Sequence, residues 1–297
     1  MIKRIICAML VAIVAAGINR CKSSQEVSPR AATMLMPGQG LDDQLPLVSL
    51  SITLDACGIL RVGRPEPFAE LPVRMGVAKS FAQVGGTVCV TGNALASRDH
   101  RHFMIRRDAG MVVATELLHL VSHPSARVIS TQERLILLSD SEVYDLSDRG
   151  VLSNRRLLDP IVPSRRAVST GQRIVYVDGL ELHTIVTEGA IATVPRLVST
   201  SPRAWCVDSA LIVERDPARK PLIFQNATAD EVSRVLAFVR KDHSIVGSVK
   251  LGGELFIIHS MEFPIAGLMF TNVRTHSTTY VMNVICSGPV FVTTELP

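Results

Sequence analysis

The sequence predicts an all-β fold, a β-propeller of seven short blades around a central axis, with six blades as the alternative. Two observations lead to this prediction: a three-strand pattern is clearest in residues 166–185, and weaker copies of it return at a nearly fixed interval. Self-similar units of about 40 residues that each hold several short strands are typical of propellers. A sandwich or an irregular all-β domain also has regularly spaced strands and turns, and is the competing interpretation.

The clearest copy of the pattern predicts an antiparallel meander. An apolar run at residues 174–177 is followed by Asp178-Gly179, and Leu182 lies in the next apolar run. Asp-Gly between two apolar runs predicts a tight hairpin, because such turns need positive φ and glycine reaches it without a Cβ clash.

The interval is measured between the first apolar residues after corresponding turns. These anchors lie 33 to 48 residues apart, and seven anchors imply seven units: Leu60, Leu95, Val143, Leu182, Leu222, Leu255 and Val290.

Two further patterns refine the prediction. The runs at residues 135–138 and 174–177 are continuously apolar, as expected for strands covered on both faces, which stacked blades provide. Residues 229–240 have apolar side chains at helical spacing after a Thr228 to Glu231 capping box, so they predict a surface helix, whereas the repeat predicts a strand at residues 235–240.

The N-terminus predicts export. Lys3 and Arg4 precede an apolar run at residues 5–18 with small residues at its end, which is typical of a secretory signal peptide cleaved after Ala16 or Gly17. We therefore expect a signal peptide at residues 1–20, a linker at 21–46 and a single propeller domain at 47–297. Lipidation of Cys21 is the alternative, and it would attach the protein to a membrane surface, although Arg20 precedes that cysteine.

Export also affects the interpretation of the cysteines, because disulfides persist in oxidising compartments. Cys57 and Cys286 occupy nearly the same place in the first and last units, so a bridge between them would close the ring. Free buried thiols that act as small apolar residues are the alternative.

Composition excludes several classes. With 47% hydrophobic residues the chain is not disordered, and a net charge of +4 spread over 297 residues does not indicate nucleic-acid binding. Aromatic residues make up only 4%, which argues against a lectin or a base-stacking surface.

No catalytic residue, cofactor or metal site is predicted. Known hydrolase and phosphate-loop motifs are absent. His100 and His102 alternate beside Asp99, but a metal site needs a third ligand, so we expect a polar loop there and a core histidine at His259.

The leading function is an exported interaction or structural module of the cell envelope or the cell exterior, with another protein as its partner. We expect the most charged segment, residues 97–110, to be a loop insertion that contacts an acidic partner through Arg98, Arg101, Arg106 and Arg107. A solvated charged loop without such a role is the alternative.

The rival function is a propeller hydrolase or lyase that acts on an extracellular polymer, which requires acidic or His side chains from several units to converge at the axis.

Several segments resemble the repeats of the regulator-of-chromosome-condensation family. They are Pro72-Val73 leading to FAQVGGTVCV at residues 81–90, LDACGILRVG at 54–63, YVDGLELH at 176–183 and CSGPVFV at 286–292. The resemblance implies a seven-bladed propeller and a role in binding.

Overall fold

The structure is a computed structural model, and it describes residues 29–37, 47–69, 71, 75–94, 100–120, 126–158, 162, 164–185, 191–194, 203–215, 220–241, 244–261, 266–282, 284, 286 and 290–294. Within these residues, 24 strands form six antiparallel sheets, which are the six blades of a β-propeller. The predicted fold class is confirmed.

Blades 1 to 3 come from the N-terminal half and the extreme C-terminal end of the chain. Blade 1 contains β1 (Ala31–Pro37), β2 (Leu47–Leu54), β3 (Leu60–Val62) and β4 (Glu66–Ala69), together with the last strand, β24 (Phe291–Thr293). Blade 2 contains β5 (Met75–Val84), β6 (Thr87–Ala94), β7 (His100–Asp108) and β8 (Met111–Glu116). Blade 3 contains β9 (Arg127–Ser130), β10 (Leu135–Leu138), β11 (Glu142–Leu146) and β12 (Leu152–Leu157).

Blades 4 to 6 follow in chain order. Blade 4 contains β13 (Ala167–Ser169), β14 (Ile174–Asp178), β15 (Glu181–Ile185) and β16 (Ile191–Val194). Blade 5 contains β17 (Ala204–Val207), β18 (Ala210–Val213) and β19 (Leu222–Gln225), and the helix α1 (Ala229–Lys241) follows it. Blade 6 contains β20 (Ile245–Leu251), β21 (Glu254–Met261), β22 (Gly267–Asn272) and β23 (Thr278–Met282).

The ring closes in blade 1, where strands from both ends of the chain pair. β24 is antiparallel to β1, and Met34 of β1 lies opposite Val292 of β24. On the other side of β1, Met34 lies opposite Leu50 of β2. Met34 and Leu50 are fully buried. The C-terminal strand therefore holds the N-terminal blade within the ring.

Six apolar clusters connect each blade to the next, and one of them joins blade 6 to blade 1. That cluster packs Met34 and Ile52 of blade 1 against Phe256 and Phe270 of blade 6. Corresponding clusters lie between blades 1 and 2, 2 and 3, 3 and 4, 4 and 5, and 5 and 6. Both faces of every blade are thus covered, as a closed circle requires.

Hydrogen bonds join the first strands of neighbouring blades and the turns after them. The backbone N–H of Gln83, in β5, donates to Ser130 Oγ at the end of β9 over 3.2 Å. In the next pair of blades the N–H of Gln132 donates to the carbonyl of Gly171 over 2.6 Å. These contacts hold together the turns that follow the first strands.

The hairpin predicted after residue 177 is confirmed, but its turn differs by one residue. β14 ends at Asp178, and the turn consists of Gly179 and Leu180. Gly179 has φ +56, whereas Leu180 is not among the positive-φ residues. Glycine at the first turn position alone indicates a type II′ turn, instead of a turn with two positive φ angles.

The predicted helix at residues 229–240 is confirmed, and the strand alternative is wrong. The Glu231 carboxylate accepts from the Thr228 backbone N–H over 2.7 Å, which is half of a capping box. Val235 and Leu236 are buried against blades 5 and 6. The helix takes the place in the chain where the other blades have their fourth strand.

Three expectations need correction. Seven anchors predicted seven blades, but Leu60 in β3 and Val290 directly before β24 belong to the same closing blade, which was therefore counted twice. The predicted linker at 21–46 includes β1, whose sequence is rich in Ala and Met and has Thr33 as its single β-branched residue, so it carries little of the composition that marks a strand. The charged segment at 97–110 is no loop insertion, because its residues 100–108 form β7, a strand whose middle is buried.

No disulfide joins Cys57 to Cys286. Cys57 is exposed in the turn between β2 and β3, whereas Cys286 lies between β23 and β24 and packs against the cluster between blades 6 and 1. The two residues therefore do not occupy equivalent places in their blades, which was the premise of the predicted bridge.

Removing β24 tests the closure. We expect a chain that ends at Met282 to unfold at a clearly lower temperature than the full chain, because Met34 and its neighbours lose a hydrogen-bonded strand. Thermal unfolding followed by circular dichroism measures the shift. The control chain ends at Thr294 and keeps β24, and an equal melting temperature for both truncations would contradict this closure.

The cysteines give a second test. Cys89 is buried, and burial raises the pKa of its thiol to about 12, so almost no reactive thiolate forms near neutral pH. Native alkylation with iodoacetamide at pH 8 should label exposed Cys57 and leave Cys89 unlabelled, as read by mass spectrometry. Detection, under non-reducing conditions, of a peptide in which Cys57 is disulfide-linked to Cys286 would show that the predicted bridge forms.

Candidate functional site

One end of the propeller gathers cationic side chains from three consecutive blades. In an antiparallel meander the first strand begins, the second ends and the third begins at the same end of the blade. Five cations lie at this end of blades 3, 4 and 5, and we call them the basic rim: Arg127, Arg165, Arg166, Arg203 and Lys220.

Arg127 and Arg165 link the rims of blades 3 and 4. Arg127 Nη1 donates to the backbone carbonyl of Arg165 over 3.0 Å. Burial lowers the pKa of Arg127, Asp140 opposes this effect, and the charge of Arg165 adds to the lowering. The two guanidinium groups are therefore close enough to repel each other.

Lys220, which directly precedes the third strand of blade 5, joins the same cluster. The residue is exposed to solvent, yet the surrounding protein lowers the pKa of its amine from 10.5 to about 8 by desolvation, and Arg127 adds to the lowering. Blades 3 and 5 are not neighbours, but Arg127 and Lys220 both stand where a strand begins at the same end of the propeller.

The other two rim arginines share one carboxylate. Glu214, whose side chain is fully buried, forms ion pairs with Arg166 and, over 3.4 Å, with Arg203. Burial lowers the pKa of Arg166, Asp178 opposes this, and Arg165 and Arg203 add to the lowering. This group joins blades 4 and 5, and we infer that its role is structural.

The cations that remain are not paired. In the described part of the chain, Arg127, Arg165 and Lys220 form no ion pair within 4.0 Å. The nearby Asp140 carboxylate accepts from the Ser164 hydroxyl over 2.6 Å and from its N–H over 2.9 Å. Arg127, Arg165 and Lys220 thus form a cationic cluster in which Asp140 offsets part of the charge of Arg127, and such a cluster favours an anionic ligand.

The structure does not bring the four predicted contact arginines together. Arg101, near the start of β7, pairs with Glu116 over 2.7 Å, whereas Arg106 and Arg107 are exposed near the opposite end of that strand. Arg98 lies outside the described residues, as does Cys21. The role of these arginines in binding stays a prediction.

The predicted histidines occupy ordinary positions. His102 is buried with its Nδ1 3.1 Å from Thr91 Oγ1, and His259 is buried in the core of blade 6 as expected. Among the residues that the structure describes, no group of three or more His, Cys, Asp or Glu side chains could hold a metal ion.

Sequence reasoning missed the basic rim because its members are far apart in the chain. The repeat nevertheless contained the pattern: Arg127, Arg166 and Arg203 each stand at the start of the first strand of their blade, 39 and 37 residues apart. Aligning RVISTQER with RAVSTGQR would have placed the first two of these arginines at one end of the ring.

Comparisons with known proteins do not assign the chain to a family. No family model and no curated protein matches the chain, so the resemblance to regulator-of-chromosome-condensation repeats stays a prediction. Among solved structures, a prolyl endopeptidase is similar at 11% identity over 92% of this chain and 52% of its own, with a TM-score of 0.37. PorZ, a surface component of the type-IX secretion system of Porphyromonas gingivalis, is similar at 11% identity over 80% of this chain and 38% of its own, with a TM-score of 0.31.

The chain spans about half or less of the length of these two proteins. In the described residues, no helix has both the length and the apolar character needed to cross a bilayer.

The pKa of Lys220 predicts a pH effect on stability. In the native protein the amine of Lys220 loses its proton above about pH 8, whereas in the unfolded chain it loses it only near its ordinary pKa of 10.5. The free energy of unfolding therefore increases as the pH rises between these two values. Below pH 8 both states are protonated and this contribution is absent.

Urea unfolding at pH 8 and at pH 10 measures the effect. We expect the wild type to gain stability relative to Lys220→Arg, which keeps its charge throughout and leaves other titrations unchanged. If the free energies of unfolding of the two proteins changed in parallel with pH, the pKa of Lys220 would not be lowered in the native state.

Proposed function

We propose that this protein is an exported, non-catalytic interaction module that docks an acidic segment of a partner protein at the basic rim. One observation carries the proposal: Arg127, Arg165 and Lys220 lie at the same end of three consecutive blades and form no ion pair with a carboxylate of the described residues. Opposite charges steer association and restrict the choice of partner.

The arrangement favours binding over the rival hydrolase or lyase. That function needs acidic or His side chains to converge where the polymer would lie. At the rim, Glu214 is occupied by Arg166 and Arg203, and Asp140 is occupied by Ser164. Asp178 also lies at this end and offsets part of the charge of Arg166, whereas Arg127, Arg165 and Lys220 form no ion pair among the described residues, and these three cations suit an anionic partner.

The proposed location is the cell envelope or the exterior, and it depends on the signal-peptide pattern of residues 1–20. Expression of the whole sequence in a bacterium, followed by N-terminal sequencing of the exported product, tests it. A mature chain that starts directly after Ala16 or Gly17 supports secretion, and a lipid-modified Cys21 at the N-terminus supports membrane attachment. A chain retained in the cytoplasm with Met1 intact would overturn export without affecting the rim.

Docking at the rim is tested with a defined acidic probe. We expect a fluorescent oligoglutamate peptide to bind the wild type and to bind the triple variant Arg127→Gln, Arg165→Gln, Lys220→Gln at least roughly tenfold more weakly, a difference of about 1.4 kcal/mol. Fluorescence anisotropy at low and at physiological ionic strength measures it, since salt screens exposed charges.

The control removes the same charge elsewhere. Arg106, Arg107 and Arg149 are exposed, and Arg106 and Arg107 also belong to the contact predicted from the sequence. The variant Arg106→Gln, Arg107→Gln, Arg149→Gln should keep the wild-type affinity. Equal losses of affinity in both variants would indicate attraction by net charge alone and would contradict binding at the rim.

A further inference from the structure

A cavity of about 270 Å³ lies between blades 3 and 4, among the outer strands and the turns that follow β9 and β13. Aliphatic side chains of both blades form most of its wall: Ile136, Leu138, Val143, Ile174 and Ile185. All five are buried and belong to the cluster that joins the two blades. The cavity therefore interrupts packing that is otherwise apolar and continuous.

The polar part of the wall contains two arginines and no carboxylate. Arg156 lies on β12 opposite Val143, and Arg173 directly precedes β14. Each has an acidic partner just outside the wall: Arg156 Nη2 is 2.8 Å from Asp145 Oδ1, and Arg173 Nε is 2.7 Å from Asp208 Oδ2.

These pairs leave donors unused. Arg156 has five N–H donors, and the ion pair with Asp145 engages its Nη2. Its Nε is buried and has no hydrogen-bond partner. A buried donor without an acceptor is costly, so a ligand oxygen at this position would be stabilised.

Asp145 remains a good anchor for Arg156. Burial raises the pKa of Asp145, but hydrogen bonds from Arg156 and Asn154 outweigh this and lower it overall. The carboxylate is thus ionised near neutral pH and holds the guanidinium beside the cavity. A ligand would meet a preformed donor and an apolar wall, the usual composition of a small-molecule site.

We propose that this inter-blade cavity binds a short aliphatic carboxylate, with its hydrocarbon chain against the isoleucine, leucine and valine side chains and its carboxylate on Arg156. Burial of the chain supplies most of the affinity, and the charge-assisted hydrogen bond to the guanidinium sets the orientation. This site is separate from the basic rim and does not depend on the proposed docking function.

Octanoate is the probe for the proposal. We expect octanoate to release or absorb heat on titration and to raise the melting temperature of the full chain, since a ligand that binds only the native state stabilises it. Arg156→Gln should weaken octanoate binding at least roughly tenfold. Val143→Phe should abolish it by filling the cavity, with circular dichroism used to verify that the variant folds.

Arg155→Gln is the matched control. Arg155 is the neighbour of Arg156 on β12 but is exposed and pairs with Glu142, away from the cavity. This variant should bind octanoate as the wild type does.

Three results would overturn the proposal. The first is no binding of octanoate by the folded wild type. The second is equal loss of affinity in Arg155→Gln and Arg156→Gln. The third is binding of octan-1-ol as tight as that of octanoate, which would show that the cavity accepts an apolar chain without recognising a carboxylate.

Discussion

The closing of the ring is the constraint on which the rest of the structure depends. Each blade has two apolar faces, and each face needs a neighbour, so a linear stack would leave two faces in water. The pairing of β24 with β1 removes both ends of the stack by building one blade from the two ends of the chain. The cluster around Met34 and Phe270 fills the space between blades 6 and 1, and Val292 of β24 packs against it.

The basic rim follows from the same geometry. Residues at the starts of first strands are distant in sequence, but the circle places them at one end of a common channel. The rim combines two electrostatic situations. Glu214 pairs with both Arg166 and Arg203 between blades 4 and 5, whereas Arg127, Arg165 and Lys220 form no ion pair among the described residues.

Local patterns predicted local structure well. The runs at 135–138 and 174–177 are strands buried on both faces, and the capping box with its apolar stripe became a helix, because period and caps are properties of adjacent residues.

Features that join distant segments were harder to predict. Leu60 and Val290 seemed to mark two units because nothing local shows that the chain ends share a blade. Met34 and Met36 looked like linker residues because their burial depends on blade 6. The segment 97–110 was predicted as the contact surface because it has the highest local density of charge. The rim arginines are dispersed along the chain and were not predicted, although they stand at equivalent positions of the repeat.

The shared blade also affects how the backbone can be rearranged. Ala31–Pro37 and Phe291–Thr293 run side by side in one sheet, so a short covalent tether between the two termini of the folded part would bridge adjacent strands and need not cross the molecule. New termini could then be opened in an exposed turn such as Ser147–Arg149 of another blade, and every blade would be built from one continuous segment except the one that contains the cut. The order of the strands along the chain is therefore separable from the architecture, and the closing blade could be moved to a different place in the circle.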